Sequence, residues 1–248
     1  MNTIYIFWLR QIKKYLRSRS RLFGSLAQPV LFLVALGFGF GPIFQKAGGG
    51  NYINFLTPGI ITQSILFTAV FSGMDLIWDK QFGFLKETLA APVPRLHIIL
   101  GRTTGSATIA LMQGTMVMLL SLLFGFRPYD FSRLLFAFLF MFIIAFLFTA
   151  LGSAIAALID DFQGFQFIVN FLLMPMYFLS GALFPLDGLP KIFTIIATVN
   201  PLTYGVDALR TCLVNISHLS LLLDLTVLGS LAVALLIVSS YSFSKIQI

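Results

Sequence analysis

Six predominantly apolar stretches, each about as long as a membrane-spanning helix, alternate with short polar segments along this chain. A single helix can cross the hydrocarbon of a membrane, because it satisfies its backbone hydrogen bonds internally. We therefore predict an all-α, polytopic membrane fold with six transmembrane helices, in a single domain over residues 1–248. The predicted spans cover residues 26–44, 58–78, 103–125, 134–158, 163–183 and 221–243.

Residues 1–23 carry basic side chains at steps of three and four, which place them on one helical face. These residues are Arg10, Lys13, Lys14, Arg17 and Arg21. Apolar and aromatic side chains, among them Ile4, Trp8 and Leu16, fall on the opposite face. The pattern predicts an amphipathic helix in the membrane interface, acting either as a topology anchor or as a platform for a cytoplasmic partner.

The formal net charge is +7, although only 10% of the residues are charged. Because the basic residues adjoin apolar runs, we expect membrane lipids and not nucleic acid as their partner. With the N-terminus inside, the inner segments hold six Lys and Arg before the first span, four after the second, and Lys245. The outer segments hold five, so the bias predicts that both termini are cytoplasmic.

A polar, proline-containing segment at residues 80–95 separates the second and third spans, and the orientation places it in the cytoplasm. It contains Lys86, Glu87, Pro92 and Arg95. Shortly before it, Asp75 and Asp79 are expected to be solvated residues at a helix end. Shortly after it, Gly101 and Gly105 have the spacing that permits close approach of two helices.

Residues 184–210 form the longest outer segment, and prolines interrupt it. The apolar stretch KIFTIIATV between them is too short to span a bilayer, which predicts short re-entrant helices before the last span. Asp207 and Arg210, three residues apart, could pair on one helix face.

The sequence contains no phosphate-binding loop, and its two histidines are isolated, so we expect no nucleotide, cofactor, metal or catalytic group on this chain. Charged residues within the spans are scarce, and Asp224 is the one candidate for a buried acid. A chain of this kind would then be energised by another protein or by nothing. A self-contained channel or secondary carrier is the alternative.

The polar segment and the outer segment both resemble type-2 ABC transporter permeases. The first resemblance rests on Gly83, Glu87, Leu89, Pro92, Leu100, Gly101 and Arg102, and the second on Ser180, Gly181, Phe184, Pro185, Leu189, Pro190, Asn200, Pro201, Tyr204 and Arg210. Compact size makes the chain most similar to drug-resistance permeases of the daunorubicin type and to nodulation lipooligosaccharide permeases. Polysaccharide or lipopolysaccharide export is the alternative within the family.

The resemblance implies a homodimeric permease of the inner membrane that binds two copies of a separate ATPase, on which ATP and Mg²⁺ are bound. Residues 80–93 would hold the coupling helix, with Gly83, Lys86, Glu87, Pro92, Arg95, Gly101 and Arg102 as the coupling residues. The outer segment, including Pro185, Pro190, Asn200, Pro201, Tyr204, Asp207 and Arg210, would cap the pathway. The substrate would be lipophilic or amphiphilic, and spans one, two and five would line its route.

Overall fold

A computed structural model of the chain describes residues 3–46, 50–90, 93–186 and 190–245, and every regular element within these ranges is helical. The helices are α1 (Thr3–Arg17), α2 (Arg19–Lys46), α3 (Tyr52–Phe71), α4 (Met74–Gln81), α5 (Phe84–Ala90), α6 (Arg95–Leu123), α7 (Leu134–Leu158), α8 (Phe162–Phe178), α9 (Lys191–Val199), α10 (Pro201–Val214) and α11 (Leu221–Ser244). A short 3-10 helix at Phe131–Arg133 precedes α7. Pro92 and the side chain of Arg21 lie outside the described residues.

Within the described ranges, five segments are long and apolar enough to cross a membrane: α2, α3 with α4, α6, α7 and α11. The all-helical, polytopic membrane fold is therefore confirmed. The bounds of α7 match the predicted span, whereas α2 and α6 begin earlier than predicted. Hydropathy marks only the part of a helix that lies in hydrocarbon, and these two helices continue into more polar sequence.

The fifth predicted span ends sooner than expected, because α8 stops at Phe178. Its 17 residues extend about 25 Å, less than the hydrocarbon thickness of about 30 Å. Pro175 lies in its last turn. Three residues after the end of α8, Gly181 has a φ of 77°, a conformation that does not continue a helix. From Phe165 to Ala182 the chain nevertheless runs beside the segment from Gly73 back to Gly59, since Phe165 lies next to Gly73 and Ala182 lies next to Gly59.

Helix α3 is the centre of the bundle and packs against α2, α6, α7 and α10. In the most apolar segment of the span formed by α3 and α4, 72% of the residues are buried, compared with 17% in the corresponding segments of the outer helices α2 and α11. Two glycines allow α3 and α4 to cross α7 closely: a Cβ at Gly73 would overlap the carbonyl of Gly152, and a Cβ at Gly152 would overlap the backbone of Val70. At this crossing the second predicted span is divided at Ser72 and Gly73 into α3 and α4.

Helices α9 and α10 meet at an angle of 87°, in the segment for which re-entrant helices were predicted. The corner lies at Asn200, whose side-chain oxygen accepts a hydrogen bond from the backbone N–H of Leu202 and caps α10. Pro201 occupies the first position of α10, where a missing N–H is tolerated. Asn200 and Pro201 thus set this corner by local chemistry.

Candidate functional site

The predicted coupling segment folds as a turn followed by the two-turn helix α5. Gly83 forms the turn after α4 and has a φ of 79°, a conformation that costs other residues roughly 1–2 kcal/mol. No atom lies within 4 Å of a Cβ built at this position, so the constraint on Gly83 is its backbone conformation and not space. The turn fixes the angle at which α5 leaves α4.

Helix α5 presents its charges outward and is held by one apolar anchor. Leu85 is buried with a relative exposure of 2%, whereas the next two residues, Lys86 and Glu87, are exposed. Within the described parts of the chain, neither charge belongs to an ion pair. Their side chains are therefore available for a partner outside this chain.

Exposed aromatic side chains lie beside these charges. Trp78 stacks on Phe82 with ring centroids 5.0 Å apart, and it also contacts Phe162 at 4.6 Å. Phe82 and Phe84 are both more than half exposed. A shallow groove of about 290 Å³ separates these aromatic residues from α1. The end of α4 and the start of α5 thus combine apolar and charged surface, which is typical of a protein-binding site.

Beneath this surface, one carboxylate joins three helices. Asp79 of α4 accepts hydrogen bonds from both terminal nitrogens of Arg10 in α1, at 3.3 and 3.2 Å, and from Arg102 Nη1 in α6, at 2.5 Å. One turn away, Asp75 accepts a hydrogen bond from Lys14 Nζ at 2.8 Å. Both aspartates are buried, so the expectation that they are solvated was wrong.

The close packing of α1 on α6 brings these charges together. A Cβ at Gly101 would lie 2.7 Å from the carbonyl oxygen of Ile4, and one at Gly105 would lie 2.9 Å from Gln11 Cβ. Farther along, Trp8 Nε1 donates to Thr108 Oγ1 at 3.1 Å. The predicted small-residue pair is therefore a helix contact, and the helix that approaches is the amphipathic α1.

Gly101 and Arg102 therefore lie outside the exposed loop. Gly101 packs against α1, and Arg102 is buried and bound to Asp79 of α4. Arg95, by contrast, is exposed, and its guanidinium donates to the backbone carbonyl of Ser244 at the end of α11. On α1, Lys13 and Arg17 remain exposed, while Arg10 and Lys14 reach α4. The predicted basic face is thus divided between solvent and protein.

Lys80 forms the second connection from this region and was not identified from the sequence. Its Nζ donates to the backbone carbonyls of Ala156, Ala157 and Ile159, at 3.0, 2.8 and 3.1 Å, and to Asp160 Oδ1 at 3.0 Å. These carbonyls end α7, where a cation complements the helix dipole. No local pattern in the sequence indicates this role, because the carbonyls that Lys80 caps lie 76 to 79 residues farther along the chain.

Two of the outer predicted residues, Asn200 and Tyr204, form hydrogen bonds around the corner between α9 and α10. Asn200 Nδ2 donates to the carbonyl of Met176, and Tyr204 donates its hydroxyl proton to the carbonyl of Thr198. Pro190 precedes α9 and is exposed, while Pro185 is half-buried in the preceding turn.

Asp207 and Arg210 have separate hydrogen-bond partners and not each other. The carboxylate of Asp207 accepts from the backbone N–H groups of His218 and Leu219, both at 3.0 Å. Arg210 Nη2 donates to the carbonyl of Gly181 at 3.0 Å, and its guanidinium lies 4.0 Å from the ring centroid of Phe55. The two charges therefore connect α10 to two different loops.

Comparison with known proteins identifies the family. Residues 2–214 match the model of the ABC-2 type transporter family. Nodulation protein J of Sinorhizobium fredii is 30% identical over 196 residues, which cover 78% of this chain and 74% of the relative. The transport permease ycf38 of Pyropia yezoensis is 30% identical over 254 aligned positions, covering 96% of this chain and 86% of the relative. The chain therefore belongs to the ABC-2 type transporter family and is a multi-pass membrane protein of a transport-permease type.

Proposed function

We propose that this chain is the membrane subunit of an ATP-driven exporter. Two copies form the permease, and each copy binds one separate ABC ATPase subunit that holds ATP and Mg²⁺. The complex moves a lipophilic or amphiphilic molecule outward across the cytoplasmic membrane, with both permease termini inside. The chain itself carries out no chemical reaction.

The observation that carries this proposal is the exposed α5 beside buried ion pairs. Lys86, Glu87 and the neighbouring aromatic residues form a surface that combines charges with exposed rings. Charged groups at an interface steer association and fix its register, whereas buried aromatic rings supply much of the affinity. The surface therefore suits a protein that docks on α5 and moves with it.

A displacement of α5 would reach the amphipathic helix α1 and the spanning helices α6 and α7 through hydrogen bonds of α4. The Gly83 turn joins α5 to α4, whose residue Asp79 is bound to α1 and α6. Lys80 binds the last carbonyls of α7 in the same way. Because these groups are hydrogen-bonded and mostly buried, α4 moves with its neighbours and transmits a push from α5 into the bundle.

Charge reversal on α5 tests the docking role. Lys86→Glu and Glu87→Lys should each lower ATP hydrolysis by the co-expressed ABC ATPase complex about tenfold, a loss equivalent to ~1.4 kcal/mol of binding. The matched control is Lys191→Glu, since Lys191 is an exposed lysine of α9 at the predicted outer side. Transport by the purified chain without any ATPase would refute the proposal.

Cysteine labelling tests the orientation independently. Cys212 is the one native cysteine and is buried, so an introduced thiol can be read with little background. In intact cells, a membrane-impermeant maleimide should label Lys191→Cys and leave Lys86→Cys unlabelled, and inverted vesicles should give the opposite result. Labelling of Lys86→Cys from outside would contradict a cytoplasmic α5.

A further inference from the structure

A cavity of about 350 Å³ lies between α1, α2, α3, α4 and α6, next to the ion pairs but separate from α5. Its volume is within the range of about 300–1,000 Å³ found for small-molecule sites. Helix α3 contributes one continuous face, because positions four residues apart point the same way. The residues of that face that line the cavity are Gln63, Ser64, Phe67, Thr68, Phe71 and Ser72.

Two buried polar atoms on this face lack a hydrogen-bond partner within the part of the chain that the structure describes. Gln63 and Ser64 have relative exposures of 2% and 5%, and neither Gln63 Oε1 nor Ser64 Oγ has a hydrogen-bond partner among the described residues. A buried polar atom without a partner is unfavourable in a protein interior. Gln28 of α2 and Ser106 of α6 add an amide and a hydroxyl to the same lining. The cavity therefore offers several hydrogen-bonding groups to a ligand.

The charge of the lining selects against ions. Among the described lining residues, Asp75 is the ionisable acid, and Lys14 Nζ already binds it at 2.8 Å. An anionic ligand would meet the Asp75 carboxylate, while a cationic ligand would have to compete with Lys14. A neutral group that both donates and accepts hydrogen bonds meets neither penalty.

The apolar part of the lining indicates where a hydrocarbon chain would lie. Phe67, Phe71, Met74 and Trp78 form one side, and Trp78 is 43% exposed. Gln28 is exposed at the α2 side of the cavity, and the neighbouring Leu31 is 61% exposed. The cavity is thus open toward the outside of the bundle, where a membrane supplies acyl chains.

We propose that this cavity binds the head of an uncharged amphiphile, whose hydroxyl and amide groups bond to Gln63, Ser64 and Gln28 while its chain follows the aromatic side. The site lies within a single chain. The inference rests on the proposed export function and deepens it, because it names the class of molecule that enters the transporter.

Photoaffinity labelling of the full chain in phosphatidylcholine nanodiscs tests the inference. The probe is N-dodecanoyl glucosamine with a diazirine in its chain, and the charged comparisons are diazirine-bearing dodecyl phosphate and dodecyl trimethylammonium. We expect the neutral probe to label peptides of α2 and α3. The double variant Gln63→Met with Ser64→Ala should lower that labelling about tenfold, as expected for the loss of two neutral hydrogen bonds.

Two further variants keep the test decisive. Ser239→Ala removes another buried, unpartnered hydroxyl, located in α11 outside the cavity, and should leave labelling unchanged. Gln28→Leu changes an exposed lining residue without disturbing the core and should lower labelling by the neutral probe. Two unlabelled competitors distinguish the source of the ligand. Glucosyl diacylglycerol represents a bilayer lipid, and N-dodecanoyl glucosamine represents a single-chain cargo. Competition by either one supports binding of a neutral head.

Equal labelling by the charged probes, labelled peptides outside the cavity, or full labelling of the folded double variant would overturn the inference. The experiment requires no ATPase. A chain that shows the expected labelling but transports without ATPase would refute the proposed function alone. A chain that stimulates ATP hydrolysis but is not labelled at the cavity would refute this inference alone.

Discussion

Replacing Asp79 by alanine should destabilise the fold mainly through one of its two arginines. The Arg102 side chain is 7% exposed, whereas the Arg10 side chain is 40% exposed. Removing one partner of a buried ion pair costs about 3–5 kcal/mol, because the remaining charge stays in a poorly solvated site. An exposed arginine can be hydrated instead, and such pairs contribute about 0–1 kcal/mol. Arg102 therefore accounts for most of the expected loss.

The expected change is measurable as a shift in thermal unfolding. For a chain of this size, 1 kcal/mol corresponds to a change of about 2–4 °C in Tm, so Asp79→Ala should lower the Tm by roughly 6–20 °C. Intrinsic fluorescence can report the transition, since Trp8 contacts α6 through Thr108 and Trp78 lies one residue from Asp79. All variants should be heated at the same rate in the same detergent, because unfolding of such proteins is often irreversible.

Double-mutant cycles separate the two arginines. The interaction energy between Asp79 and Arg102 should be about 2–3 kcal/mol, and that between Asp79 and Arg10 should be below about 1 kcal/mol. Arg10→Ala is the matched control, since it removes the same functional group from the same carboxylate. A larger energy for Arg10, or a Tm for Asp79→Ala equal to that of the parent, would refute the argument from burial.

Three further perturbations test other contacts. Gly101→Ala should lower the free energy of unfolding by about 1–3 kcal/mol and speed hydrogen exchange in α1, because the new Cβ would overlap the α1 backbone. Gly39→Ala is the control and should leave the free energy of unfolding unchanged, because no atom lies within 4 Å of its Cβ. Lys80→Met should lower ATP hydrolysis by the complex, because four acceptors at and just after the end of α7 lose their donor. Asp160→Asn changes a side chain that is 91% exposed and should have little effect. Equal effects of the two variants would contradict the capping role of Lys80. Asn200→Ala should destabilise the chain by about 0.5–2 kcal/mol through loss of the α10 cap, measured as a lower Tm, and an unchanged Tm would contradict it.

Local signals in the sequence predicted most of the elements. Apolar runs long enough to cross hydrocarbon predicted the spans, and the regular spacing of basic residues predicted α1. The prolines that interrupt residues 184–210, with an apolar stretch too short to span between them, predicted the short helices α9 and α10. These features could be predicted because a helix and its caps depend on residues within a few positions along the chain.

Hydropathy alone did not predict two of the boundaries, one at a close helix crossing and one at local helix-ending residues. The break at Gly73 arises where α3 and α4 cross α7, and the end of α8 follows Pro175 and precedes the left-handed Gly181. Hydropathy continues through both places, so an average over the sequence does not detect them. At Gly73 the contacts come from α7, which is distant in the sequence, whereas the end of α8 coincides with local residues to which a hydropathy average gives no special weight.

The sequence by itself determined a polytopic helical membrane protein with an amphipathic first helix and a polar segment after the second span. Tertiary structure alone decided which charges meet: Arg10 and Lys14 on α1 face Asp79 and Asp75 on α4, and Lys80 binds the end of α7. Each pair has the four-residue spacing of one helix face, yet their partnership depends on how closely α1 can lie on Gly101. Local periodicity fixes the face of a helix on which a residue lies, whereas only the packing of distant helices determines what that face contacts.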